Sequence, residues 1–162
     1  MDRDKSVQNF ETAKQAVILF DTALPDCFPP IKEFTKFLKK QGIKTSVFGY
    51  VGEKETPQEM LLWADFEFIT RKDISWYGGP KGEKAELYFS KEPDMLFVIS
   101  FEQNLTVEYL SRLSTAKFKI GCYAKDDLCD LDLMINPSSK HFEVSYFIEQ
   151  VKHYLTLLQP SK

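Results

Sequence analysis

Four polar residues follow the two most apolar runs of the chain, and they are the best candidates for chemistry. Asp21 follows the run Ala-Val-Ile-Leu-Phe, while Ser100, Glu102 and Asn104 follow the run Met-Leu-Phe-Val-Ile. Their carboxylate, hydroxyl and amide oxygens could hold a small ligand or a cation. Alternatively, Asn104 accepts hydrogen bonds from the free N–H groups of the next helix, and Asp21 does the same in its own turn. We favour this capping role, because a strand-to-helix junction needs such residues in any case.

A charged loop with two adjacent aromatic residues is the second candidate. The segment 70–80 contains Arg71, Lys72, Trp76 and Tyr77, together with two glycines. The rings could stack on a sugar or a base while Lys72 and Arg71 supply positive charge. Equally, Trp76 and Tyr77 could fold inward and anchor a long connection against the sheet. We favour the anchor, because long ordered loops usually pack through their own side chains.

The sequence offers little support for a cofactor, a metal or a catalytic nucleophile. The turn after Asp21 contains no glycine and no Walker-type lysine loop is present, so we expect no nicotinamide or flavin cofactor. Cys27 would need a histidine to act as a nucleophile, but His141 and His153 both lie in the last helical region. A buried, inert thiol is the simpler interpretation. The other two cysteines lack the partners of a zinc site, so we expect no metal and no catalytic residue.

The spacing of apolar residues predicts the elements that position these candidates. Continuous apolar runs indicate strands covered on both faces, as in a parallel sheet between helices. Strands are predicted at 16–20, 44–50, 66–70, 94–100, 118–122 and 132–135, and helices at 6–15, 31–40, 60–63, 84–89, 107–114 and 144–158. This alternation predicts a doubly wound α/β fold: a mainly parallel sheet of about six strands in the order 3-2-1-4-5-6, with helices on both faces. In that order Asp21 and Ser100 face each other at the switch point between the first and fourth strands.

Composition and charge limit the classes of partner. A chain of 162 residues fits one domain, and its net charge of −3 without a basic block argues against a nucleic-acid partner. No apolar run reaches the roughly 20 residues of a membrane span, and the first residues are polar. Three cysteines without C-x-x-C spacing are typical of reduced thiols. We therefore expect a cytoplasmic protein that associates with neither membrane nor nucleic acid.

Three segments carry a family resemblance: Ala-Val-Ile-Leu-Phe-Asp at 16–21, Arg-Lys-Asp-Ile-Ser-Trp-Tyr-Gly at 71–78, and the stretch from Asp-Met-Leu to Lys-Ile-Gly at 94–121. Together they resemble an uncharacterised bacterial family, a domain of unknown function made of one Rossmann-like unit. The resemblance covers nearly the whole chain. It implies a single Rossmann-like domain over 1–162 and no activity. The helical pattern at 6–15 predicts that residues 1–15 form an N-terminal helical extension of this domain.

A weaker likeness rests on Ala-Lys-Phe-Lys-Ile-Gly at 116–121. This segment is similar to the N-terminal half of heptosyltransferase-like glycosyltransferases, in which an apolar strand leads through a polar turn to a helix ending Ala-Lys-x-x-x-Gly. Those enzymes close two such domains around the substrate, and we expect no second domain in this chain.

The combined observations predict a binding protein rather than a recognisable enzyme. The predicted ligand, a small molecule, lies at the carboxyl edge of the sheet and contacts Asp21, Ser100, Glu102, Asn104, Lys72 and Trp76. One alternative is an enzyme, or an enzyme remnant, acting on a sugar or a nucleotide sugar. Another is a homodimeric interaction module that uses an exposed sheet edge or the last helix.

Overall fold

The computed structural model describes residues 3–75, 81–123, 128–136 and 143–160. The strands are β1 (Gln15–Asp21), β2 (Lys44–Val51), β3 (Phe66–Thr70), β4 (Met95–Ile99), β5 (Phe118–Cys122) and β6 (Leu133–Ile135). The helices are α1 (Phe28–Lys40), α2 (Glu83–Ser90), α3 (Leu105–Leu113) and α4 (Val144–Leu157), and two short 3-10 helices span Gln58–Leu62 and Arg71–Asp73. No helix within these residues is long and apolar enough to cross a membrane.

The described strands form one six-stranded sheet in the order β3-β2-β1-β4-β5-β6, and every pairing is parallel. The predicted strand order and the doubly wound α/β class are therefore confirmed. β1 and β4 are neighbours, in a register that runs from Ala16 opposite Met95 to Phe20 opposite Ile99. Because parallel strands end at the same edge, the carboxyl ends of β1 and β4 lie side by side.

Helices cover both faces of the sheet, and β1 shows how its residues divide between them. Ile18 and Phe20 pack into the core that includes residues of α1 and α4, while Val17 and Leu19 pack into the core that includes residues of α2 and α3. Successive side chains of a strand point to opposite faces. A strand covered on both sides must therefore be apolar at every position, which explains the unbroken apolar run.

Local sequence sets the start and the end of α1. Pro29 and Pro30 lie in its first turn, where a fixed φ is favourable and a missing N–H costs nothing. The chain leaves the helix at Gly42, whose φ of 82° is the left-handed conformation that glycine adopts freely. The N–H of Ile43 then donates to the carbonyl of Leu38 at 3.0 Å, which closes the helix end.

The helix predicted over residues 6–15 is wrong. The side-chain oxygen of Asn9 accepts the backbone N–H of Thr12 at 3.0 Å, and this local bond stabilises a turn in place of a helix. Before that turn the chain is bonded to the sheet, because the N–H of Ser6 donates to the carbonyl of Lys117 at 3.0 Å. Residues 3–14 therefore form an irregular segment attached near the start of β5.

Candidate functional site

Asp21 and Asn104 lie together at the switch point, where each forms local hydrogen bonds. The amide nitrogen of Asn104 donates to the carboxylate of Asp21 at 3.2 Å. The other oxygen of Asp21 accepts the N–H of Ala23 at 2.9 Å, and the amide oxygen of Asn104 accepts the N–H of Val107 at 3.2 Å. Asn104 is thus the N-cap of α3 and Asp21 stabilises the turn after β1. These contacts are those of the capping interpretation.

Ser100 and Glu102 also form a local contact. The hydroxyl of Ser100 donates to the backbone carbonyl of Glu102 at 3.3 Å, which closes the short loop between β4 and α3. The Glu102 residue is exposed. Neither residue contributes to the lining of the cleft described next.

A cleft of about 550 Å³ lies at the carboxyl edge of the sheet, beside the switch point. Its described lining comprises Tyr50 from β2, Lys54 from the turn after β2, Arg71, Lys72 and Ile74 from the segment after β3, and Thr106 from the first turn of α3. This edge is where open parallel sheets bind ligands, and the volume falls within the roughly 300–1,000 Å³ of small-molecule sites.

The turn that carries Arg71 and Lys72 is fixed by its own hydrogen bonds. The N–H of Arg71 donates to the carbonyl of Glu53 at 3.1 Å, which joins this turn to the segment after β2. The carboxylate of Asp73 accepts the backbone N–H of Thr70 at 2.8 Å and its hydroxyl at 3.1 Å. These bonds hold Arg71 and Lys72 next to the turn after β2, which carries Lys54.

The positive charge of the cleft is only partly compensated. The ammonium group of Lys72 lies 3.0 Å from the carboxylate of Glu55, and both side chains are largely exposed. Lys54 and Arg71 form no ion pair with any residue that the structure describes. An anion that enters the cleft would therefore meet two cations that are not paired with any carboxylate the structure describes.

The first turn of α3 adds partial positive charge at the same place. Asn104 satisfies the N–H of Val107 with its side chain and the N–H of Glu108 with its carbonyl. The preceding N–H groups, those of Leu105 and Thr106, have no acceptor among the described residues. Free N–H groups at a helix N-terminus attract anions. The cleft therefore combines formal and partial positive charge.

The structure brings together only part of the site expected from the sequence. Lys72 lines the cleft, whereas Asp21, Ser100, Glu102 and Asn104 do not. Trp76 lies outside the described residues. Arg71 was expected only as a source of charge in the loop of the second candidate, and Lys54 was not expected at all. Lys54 could have been found from the predicted strand order, which places the ends of the second and third strands side by side.

Cys27 is not an activated thiol. Its side chain is buried, and burial raises the pKa of this thiol to about 11. The thiol therefore stays protonated at neutral pH, whereas a nucleophilic cysteine needs a lowered pKa. Within the described ranges there is also no group of three or more histidine, cysteine or acidic side chains that could hold a metal ion.

The fold and the cleft define a Rossmann-like α/β protein with a cationic cleft at the carboxyl edge of its sheet. The chain belongs to the family of unknown function DUF6913, whose model matches residues 1–158. This match confirms the resemblance to an uncharacterised family and carries no activity with it. No match was found among curated proteins.

Proposed function

We propose that this protein binds a small organic anion, such as a phosphate ester, in the cleft at the carboxyl edge. The observation that carries the proposal is the convergence of Lys54, Arg71 and Lys72, from two separate connections, on one cleft beside the first turn of α3. Tyr50 and Ile74 supply apolar surface in the same lining, which suits the carbon skeleton of a ligand. The ligand would thus carry at least one strong anionic group and an uncharged part.

The lining favours binding over catalysis. Its described residues are cationic, hydroxyl-bearing or apolar, and none is a carboxylate, a histidine or a thiol. General acid–base catalysis most often uses such groups, although lysine and tyrosine also serve when their pKa lies near the working pH. In their charged form the lysines and the arginine of the cleft hold negative charge but cannot accept a proton.

An enzyme acting on a nucleotide sugar is the alternative. The diphosphate of a nucleotide sugar is an anionic phosphate ester, like the ligand of the first proposal, so it could bind to the same cations of the cleft. Conversion of a nucleotide sugar by the purified chain would favour this alternative, whereas binding without turnover would favour the first proposal.

The cytoplasm is the compartment we propose. No disulfide joins Cys27, Cys122 and Cys129, and cysteines outside disulfides are most common in reducing compartments.

Isothermal titration calorimetry with pyrophosphate, sugar phosphates and nucleotides tests the binding proposal. We expect at least one of these compounds to bind, and we expect added salt to weaken the binding because the contact is electrostatic. Replacing Arg71 with alanine should raise the dissociation constant about tenfold or more, since a hydrogen bond to a charged group contributes roughly 1.5–3 kcal/mol.

The chain offers a matched control for Lys72. Lys36 on α1 is 58% exposed and pairs with Glu33, as Lys72 is 59% exposed and pairs with Glu55. Lys72→Ala should weaken binding and Lys36→Ala should not. Equal effects of the two substitutions, or no heat with any anion, would contradict the proposal.

A further inference from the structure

The segment of residues 3–8 is held against the domain by the side chain of Arg3. The guanidinium group donates to the backbone carbonyls of Ala116 at 2.9 Å and of Asp130 at 3.1 Å. It also forms ion pairs with the carboxylates of Asp130 at 3.3 Å and of Asp132 at 2.7 Å. Only 3% of the Arg3 side chain is exposed, so Arg3 fills a polar pocket between the start of β5 and the segment before β6.

The remaining contacts of this segment are weaker, and we call residues 3–8 the latch. The N–H of Ser6 donates to the backbone carbonyl that precedes β5 at 3.0 Å. The ammonium group of Lys5 lies 3.9–4.0 Å from the two carboxylates that bind Arg3, and its side chain is 59% exposed. Phe10, which follows the latch, is buried in the core. The latch can therefore leave its pocket while Phe10 keeps the rest of the segment in place.

The latch closes beside a second buried cation, the ammonium group of Lys119. The Lys119 side chain is 0% exposed, and its ammonium group donates to the backbone carbonyl of Arg112 at 3.1 Å. It lies 3.7 Å from Oδ2 of Asp130, which is the same oxygen that the Nε of Arg3 contacts at 3.3 Å. Two buried cations therefore share one carboxylate oxygen, and solvent screens their mutual repulsion poorly.

Positive charge exceeds negative charge among the described groups around Lys119. The ion-paired side chains are three cations and two carboxylates: Arg3, Lys5, Lys119, Asp130 and Asp132. The neighbouring strand β4 places the uncharged Leu96 opposite Lys119. Helix α3 contributes the carbonyl of Arg112, whose own side chain is exposed. The closed latch thus adds a cation to a site that already contains one, and the two carboxylates do not balance the total.

We propose that the latch and Lys119 form a pH-sensitive switch, in which loss of the Lys119 proton favours the closed latch and gain of the proton favours the open one. When Lys119 is charged, closing the latch brings Arg3 against another buried cation. When Lys119 is neutral, both carboxylates are left to the cations of the latch, Arg3 and Lys5.

The sign of the pH dependence follows from the causes that act on Lys119. Burial lowers the pKa of Lys119 from 10.5 to about 8, and the charge of Arg3 acts in the same direction, while the two aspartates oppose them. Opening the latch removes the charge of Arg3, so the pKa of Lys119 rises in the open form. The open form therefore binds the proton more tightly, and rising pH shifts the equilibrium toward the closed latch.

Limited digestion with trypsin tests the switch, because the bond between Lys5 and Ser6 can be cut only when the latch is open. When opening is fast relative to cleavage, the cleavage rate follows the population of the open form. Mass spectrometry measures this rate for the wild type and for Lys119→Met, in which no proton can be lost. The ratio of the two rates cancels the pH dependence of trypsin itself. We expect the ratio of wild type to Lys119→Met to fall by up to about tenfold from pH 7 to pH 9, because one proton is linked to opening.

Arg3→Gln provides a second measurement that does not depend on Lys119→Met. This variant keeps the length of the latch but removes the charge that faces Lys119, so its cleavage should be faster than that of the wild type and less dependent on pH. The ratio of wild type to Arg3→Gln should therefore also fall from pH 7 to pH 9. Lys39→Met removes an exposed lysine at the end of α1 and should behave as the wild type does.

Circular dichroism checks that each variant is folded at both pH values. A ratio of wild type to Lys119→Met that stays constant between pH 7 and pH 9 would overturn the proposal. Full pH dependence in Arg3→Gln would overturn it too, because Lys119 would then titrate without any effect of the latch.

Discussion

Replacing Asn104 with alanine removes two hydrogen bonds at the switch point, and their combined loss can be estimated. One is the N-cap bond from the N–H of Val107 at 3.2 Å, and losing such a cap costs about 1 kcal/mol. The other is the bond to the carboxylate of Asp21 at 3.2 Å, in a partly buried position, and it contributes roughly 1 kcal/mol. Asn104→Ala should therefore lower the free energy of unfolding by about 2 kcal/mol.

A second substitution separates the two bonds. Asn104→Ser keeps a good N-cap oxygen but loses the donor to Asp21, so it should cost roughly half as much as Asn104→Ala. Urea unfolding followed by circular dichroism measures both values under one set of conditions.

The same variants test whether Asn104 has a role in binding. Because its side chain is used for the cap and for Asp21, Asn104→Ser should leave the affinity for phosphate compounds within about twofold of the wild type. The reasoning would be refuted if Asn104→Ala changed the free energy of unfolding by less than about 0.5 kcal/mol. It would also be refuted if Asn104→Ser abolished anion binding in a fully stable protein.

Three further predictions concern the core and two charged groups. Gly49→Ala should lower the free energy of unfolding by about 1–3 kcal/mol in urea, because an added Cβ would lie 2.9 Å from atoms of Phe20 and Thr22; an unchanged midpoint would contradict this. Burial lowers the pKa of Lys119 from 10.5 to about 8, so the buried charge destabilises the folded protein below pH 8, and this cost disappears as the pH rises from 8 to 10.5. Over that pH range the free energy of unfolding of the wild type, measured in urea, should rise relative to that of Lys119→Met. Curves of stability against pH that stay parallel for the two proteins would contradict this. Burial alone would raise the pKa of Asp94, but hydrogen bonds from two backbone N–H groups and a lysine outweigh burial and hold the pKa below 3.8. Asp94→Ala should therefore destabilise the protein above pH 3.8, and the difference from the wild type should disappear in acid. Urea unfolding of both proteins as a function of pH measures this difference.

The elements of the fold were predictable where burial dictates the sequence pattern. β1 is covered on both faces, so its five central residues are all apolar and the strand is evident without any structure. α1 buries Ile31, Phe34 and Leu38 along one side, and this spacing predicts a helix. The strand order followed from the alternation of such elements and from the right-handed crossover rule.

The segment before β1 shows where periodicity is misleading. Val7, Phe10 and Ala13 recur at helical spacing, yet Asn9 forms a turn with its own side chain. A local bond of this kind competes with the helix, and the backbone bond from Ser6 to Lys117 depends on residues more than a hundred positions away. A pattern in one short segment cannot reveal that contact.

The cleft was harder to predict than the edge that holds it. Its cations come from two connections, and Lys54 stands in the run Gly-Glu-Lys-Glu, which is indistinguishable from an ordinary solvated turn. Strand order brings the connections together, but the direction of a long basic side chain depends on the loop that carries it. Here the bond from Arg71 to Glu53 and the cap at Asp73 set that loop.

Titration of the ¹⁵N-labelled protein with pyrophosphate tests the central claim, an anion site in the carboxyl-edge cleft, most directly. We expect the largest chemical-shift changes at the backbone amides of Leu105 and Thr106 and at the side-chain Nε–H of Arg71, and we expect them to saturate. Shifts that are absent, or that are largest around the exposed lysines Lys39 and Lys40 at the end of α1, would contradict the claim.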